Sequence, residues 1–142
     1  MLGVIFSVLA GAAMSFQGVM NTRLGEKAGL LEANAFVQGT AFILSVLAML
    51  LFGNGSFKSV FSAEKVYLLG GALGLVITVT VMLAIKNLSP TVAISIILIS
   101  QLLVAAGIDA FGMLGSEKVA FGLSKYLGIG LMILGVIIFK RP

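Results

Sequence analysis

Five long apolar stretches, each closed off by charged or turn-forming residues, constrain this chain more than any other feature. A helix needs about 20 mostly apolar residues to cross the hydrocarbon core of a bilayer. The stretches Leu2–Asn21, Ala33–Phe52, Val66–Ile85, Thr91–Leu114 and Leu123–Phe139 run to 20, 20, 20, 24 and 17 residues of the 142. Nearly all charge falls in the connections between them. Hydrophobic residues make up 60% of the chain and charged residues 10%, whereas a soluble domain is about one quarter charged. A small soluble domain buries the least of its surface and needs more polar cover than this. Those proportions exclude a soluble enzyme, a disordered chain and a nucleic-acid-binding domain. They predict an all-α integral membrane protein with five transmembrane helices. No connection is long enough to separate domains, so residues 1–142 are read as a single transmembrane domain.

Local signals mark the helix ends. Ser89-Pro90 places an N-cap serine before a proline at the first helical position and predicts the start of the fourth helix. Ser62 and Ser124 are placed to cap the third and fifth. Gly53-Asn54-Gly55-Ser56 is a turn cluster that ends the second. Phe57, Phe61, Tyr67 and Tyr126 lie near segment ends, where an interfacial aromatic belt belongs. The first stretch has no basic leader, and Gln17 and Asn21 stand where small residues would mark a cleavage site, so it reads as a retained helix.

Five crossings put the termini on opposite sides of the membrane. Lys58, Lys65, Lys118 and Lys125 then share the N-terminal side, and Arg23, Lys27, Lys86, Lys140 and Arg141 the other. Lys/Arg asymmetry sets orientation, and four against five gives almost none. Two readings stay open: a weak bias with the first helix fixing one orientation, or insertion both ways with antiparallel pairing. The second yields an inverted repeat of ten helices about an axis in the membrane plane, an arrangement many transporters carry within one chain.

At about 100° per residue, Gly3, Ser7, Gly11, Met14, Gln17, Gly18 and Asn21 share one face of the first helix, and Ile5, Val8, Leu9, Phe16 and Val19 the other. Small residues at four-residue spacing let membrane helices approach closely. The first face therefore serves tight packing through Gly3, Ser7, Gly11 and Gly18, or lines a lumen. Asn34 and Gln38 fall on one stripe of the second helix, and Gly70 and Gly74 continue the small-residue pattern in the third. Gln101, Ala105, Asp109 and Gly112 occupy a narrow arc of the fourth. The amides Gln17, Asn21, Asn34, Gln38 and Gln101 carry donors and acceptors that are costly to strand in hydrocarbon, and together they predict a shared polar pathway.

Asp109 is the one acid inside an apolar stretch, and intramembrane acids are functional candidates by default. It stands five residues from Leu114, within reach of the headgroup region. Yet an anion near a helix C-terminus opposes the macrodipole, which calls for a cation, a lysine or amide donors nearby. The chain has no Cys and no His, which removes thiolate metal sites, the commonest metal ligand and the commonest general base. No nucleophile–base pair or phosphate-binding loop is present. No enzyme activity, metal or cofactor is expected.

Gln17-Gly18-Val19-Met20-Asn21-Thr22-Arg23-Leu24-Gly25 resembles a Q-x-x-x-N-x-R-L motif closing the first helix of a known family. Ser100-Gln101-Leu102, with Asp109-Ala110-Phe111-Gly112 and Leu114-Gly115, is similar to that family's G-Q-L … D-H-F-G-x-L-G. Lys125 and Gly128 through Gly135-Val136 resemble its closing R-x-x-G … G-V helix. The family is the small five-helix YdcZ type within the drug/metabolite transporter superfamily, and the resemblance spans essentially the whole chain. It implies a multi-pass bacterial inner-membrane protein. Members occur as dual-topology genes, oppositely oriented pairs or fused duplicates, which favours the antiparallel homodimer here. Two positions depart: Ser100 stands for the usual Gly, and Ala110 for the frequent His, which removes a His-linked proton step beside Asp109.

The expectation is thus a secondary transporter working by alternating access, with itself, the lipid bilayer and a small polar, cationic or amphipathic solute as partners, and no nucleic acid. Gln17, Asn21, Asn34, Gln38 and Gln101 would line the pathway, and Asp109 would bind a cation or couple the cycle. A dual-topology dimeric ion channel and a non-transporting assembly subunit are the rival readings.

Overall fold

The computed structural model describes residues 1–120 and 122–140, and every regular element among them is helical. Helix α1 spans Leu2–Ala28, α2 Leu30–Phe52, α3 Gly70–Asn87, α4 Pro90–Phe111 and α5 Leu123–Lys140. Short 3-10 segments at Phe57–Ser62 and Lys65–Leu69 lead into α3, and another at Met113–Gly115 follows α4. Four helical stretches are long and apolar enough to cross a membrane: α1, α2, Lys65–Asn87 and α4. α5 is apolar but shorter: its 18 residues reach about 27 Å at 1.5 Å per residue.

The elements depart from the sequence expectation mainly at their ends. α1 continues seven residues past Asn21, so most of the expected first connection is helical. Charge marks where a helix leaves hydrocarbon, but Arg, Leu, Glu, Lys and Ala are good helix formers and carry the helix on. Lys27 suits the negative end of the dipole, and Arg23 forms an exposed i,i+3 ion pair with Glu26 at 2.9 Å, a contact worth little in water. One residue, Gly29, makes the whole turn into α2. Its φ of 104° and ψ of 148° lie in a region essentially reserved for glycine. Its N–H donates to the Gly25 carbonyl and its carbonyl accepts from the Ala33 N–H, both at 3.0 Å.

Ser89 behaves as its motif predicts. Its Oγ accepts from the Val92 N–H at 3.4 Å, with Pro90 at the first helical position. Ser62 does not cap α3: it ends one 3-10 segment, and Glu64 precedes the next. Ser124 lies inside α5, while the Lys125 N–H donates to the Gly122 carbonyl at 3.0 Å. α4 stops at Phe111, three residues short of the expected Leu114, because Gly112 takes the left-handed conformation (φ 64°, ψ 42°) that commonly closes helices. The rings of Phe57 and Phe61 stack edge to face, 6.0 Å apart.

The helices group into two compact units, Met1–Asn87 with α1–α3 and a second from Leu88 with α4 and α5. In the first, α1 packs on α2 and α3, and α2 on α3. Its buried residues gather at the end next to Gly29: Gly18, Asn21 and Thr22 of α1, Ala33 and Asn34 of α2, Met82 and Ile85 of α3. Small residues on α1 permit this closeness. A methyl group on Gly18 would stand 2.9 Å from Ile85 Cδ1 and 3.2 Å from Val81 Cγ1, and one on Gly25 2.6 Å from Met82 Cε. In the second unit α4 packs on α5. The remaining large apolar side chains are mostly exposed, as expected where lipid rather than water is the solvent.

Candidate functional site

α2 and α3 leave a cleft of about 690 Å³ between them. Asn34 and Gln38 are its polar lining, Gly70, Gly71 and Gly74 form the facing wall, and Leu31, Ala35 and Leu75 complete it. The α2 residues recur at i, i+3, i+4 and i+7, which places them on one helix face. The glycines present backbone where side chains would otherwise fill the space, and a methyl group on Gly74 would lie 3.5 Å from Gln38 Nε2. Gln38 is the ninth residue of the 23 in α2, about 12 Å from its start, so the cleft reaches close to the middle of the span. The neighbouring Thr78 donates its hydroxyl to the Gly74 carbonyl at 2.9 Å.

Asn34 is the unusual member. It is only 3% exposed, and its Oδ1 has no hydrogen-bond partner among the described residues. A buried acceptor left unpaired costs about 1–3 kcal/mol, so such a group is either satisfied by something that enters or retained at a penalty.

A smaller cleft of about 230 Å³ lies by the α1–α2 turn, where Thr22, Gly25 and Glu26 meet Met82 and Lys86. Thr22 donates to the Gly18 carbonyl at 2.7 Å, so its hydroxyl is already engaged. In the second unit, α4 and α5 border an open cleft of about 500 Å³. Leu102, Ala105, Ala106 and Asp109 face Lys125, Gly128, Ile129 and Met132, each set spaced i, i+3, i+4, i+7. Asp109 is half-buried there, in the last turn of α4, and its carbonyl accepts from the Val119 N–H at 2.9 Å. A lysine is one of the companions its position calls for, and Lys125 is the cationic residue lining the same cleft. Among the described residues no three acidic side chains come together as a metal site requires.

The predicted pathway residues are therefore distributed. Asn34 and Gln38 share the α2–α3 cleft. Asn21 is buried on α1 beside Thr22, and Gln17, one turn earlier, is exposed. Gln101 is exposed on α4, in the other unit. Of the small residues expected to pack, Gly18 meets α3, Gly74 faces Gln38 and Gly70 lines the cleft. Methyl groups on Gly3 or Gly11 would meet nothing outside their own helix within 4 Å among the described residues, and Ser7 is exposed, donating to the Gly3 carbonyl at 2.9 Å. Gly71 and Lys125 were not singled out as site residues by sequence. Lys125 carries a signal in retrospect, since it heads the same i, i+3, i+4, i+7 pattern that Asp109 closes.

Residues 2–138 match the model of the family described as "Putative inner membrane exporter, YdcZ". No curated protein and no solved structure matches the chain.

Proposed function

This chain belongs to the YdcZ inner membrane exporter family and is a multi-pass inner-membrane protein, and we propose that it carries a small polar or amphipathic solute by alternating access as an antiparallel homodimer. The observation that carries the reading is the α2–α3 cleft. It brings two amides, Gln38 of them close to the middle of the span, beside three glycines, with the Asn34 acceptor buried and unbonded among the described residues. Substrate sites near the bilayer midplane, built where backbone is laid open, are the recurring arrangement of secondary transporters. Gln17, Asn21 and Gln101 extend the polar pathway in the assembled dimer. Asp109 binds a cation or couples the cycle, with Lys125 lining the same cleft.

The homodimer has five crossings per chain, α5 included, and one domain. Two features support it. The near balance of Lys and Arg leaves either orientation open. The Gly3–Ser7–Gly11 face is small, and among the residues of its own unit methyl groups on Gly3 and Gly11 meet nothing within 4 Å, as suits a helix interface between copies. Reconstituted liposomes test the transport reading against the channel. Solute uptake that saturates with concentration is expected, while unsaturable flux at channel rates would overturn it.

A further inference from the structure

Resting on the transport reading above, we infer that the α2–α3 cleft takes an uncharged solute that presents an N–H or O–H donor on an apolar body. Asn34 Oδ1 is a buried acceptor with no partner among the described residues, in a residue only 3% exposed, and Asn34 lines the cleft. What it lacks is a donor. The other polar group at the cleft is Gln38, an amide that can accept and donate. Among the described residues, no charged side chain lines it. A cation entering would lose its hydration and find no countercharge, which is far costlier than burying an amide or hydroxyl that gains a hydrogen bond. The rest of the wall, Leu31, Ala35, Leu75 and the glycines, offers only apolar surface and flat backbone, which suits a ring or a short alkyl body. A volume of about 690 Å³ falls in the range of small-molecule sites. Asp109 and Lys125 line a cleft of the other unit.

The chain has no native cysteine, and a methyl group on Gly71 meets nothing within 4 Å. Gly71→Cys therefore places a single thiol on the cleft wall. The full-length protein carrying Gly71→Cys, reconstituted in nanodiscs, is alkylated with a small maleimide in the presence of benzamide, N,N-dimethylbenzamide or benzyltrimethylammonium. Benzamide, with its N–H donors, should slow alkylation saturably, and the dimethyl compound and the cation should need at least about tenfold higher concentrations. Adding Asn34→Leu should abolish benzamide protection. Adding Asn34→Asp should reverse the preference toward the cation, a gain that a misfolded protein cannot show. Equal protection by benzamide and its dimethyl analogue, stronger protection by the cation in the Asn34 protein, or no protection by any of the three would overturn the inference. So would a thiol shielded without ligand and exposed on dimer dissociation, because a second copy would then fill the cleft. Saturable liposome uptake of any solute alongside these negative results would leave the transport reading standing and remove only the solute class.

Discussion

Gly18 of α1 and Ile85 of α3 lie so close that a methyl group on the glycine would stand 2.9 Å from Ile85 Cδ1. The nearer atom is the far end of a flexible side chain and Val81 Cγ1 stands at 3.2 Å, so alanine fits after a shift of a few tenths of an ångström and a larger group does not. Gly18→Ala should be near neutral, and Gly18→Leu should destabilise by about 1–3 kcal/mol through overpacking. Thermal unfolding of the detergent-purified protein checks both. Equal stability of Gly18→Leu and the parent would mean that α1 and α3 do not meet there.

The one-residue turn gives a second prediction. Gly29 holds φ at 104°, and a side chain there would also run into the Glu32 carboxylate. Gly29→Ala should cost about 1–3 kcal/mol. Gly39→Ala, inside α2 where an added methyl meets nothing, is the control and should be neutral or slightly stabilising.

The N-cap of α4 is a third. Ser89→Ala removes the acceptor for the Val92 N–H and should lose about 0.5–2 kcal/mol, whereas Ser89→Asp should retain most of it. If Ser89→Ala unfolds at the parent temperature, the cap contributes nothing.

Asp109 and Lys125 line one cleft between α4 and α5. Asp109→Asn should insert and dimerise normally yet transport at least about tenfold more slowly, with the same loss for Lys125→Gln, measured as initial uptake into liposomes. Wild-type rates for Asp109→Asn in a properly inserted dimer would remove its coupling role.

The sequence was most legible where physics is local. Ser89-Pro90 fixes a cap within four residues, and it appears as expected. Where a helix ends is less readable. Arg23, Leu24, Glu26, Lys27 and Ala28 favour helix, and the break falls at Gly29 rather than Gly25. The left-handed turn at Gly112 ended α4 before hydrophobicity did. The candidate site divides the same way. Asn34 and Gln38 could be placed on one face from their spacing alone. That Gly70, Gly71 and Gly74 stand opposite them, or that Lys125 joins Asp109, depends on which helices meet, which periodicity within one helix does not encode.

The antiparallel homodimer is the premise from which alternating access follows, and side-specific labelling tests it most directly. Ser56 lies in the exposed turn after α2, and with no native cysteine a Ser56→Cys protein carries a single thiol. Intact spheroplasts are treated with a membrane-impermeant maleimide, then permeabilised and treated again with a second, distinguishable one. Comparable labelling of the population in the two steps is the predicted result. Labelling of every molecule from the same side would contradict the account.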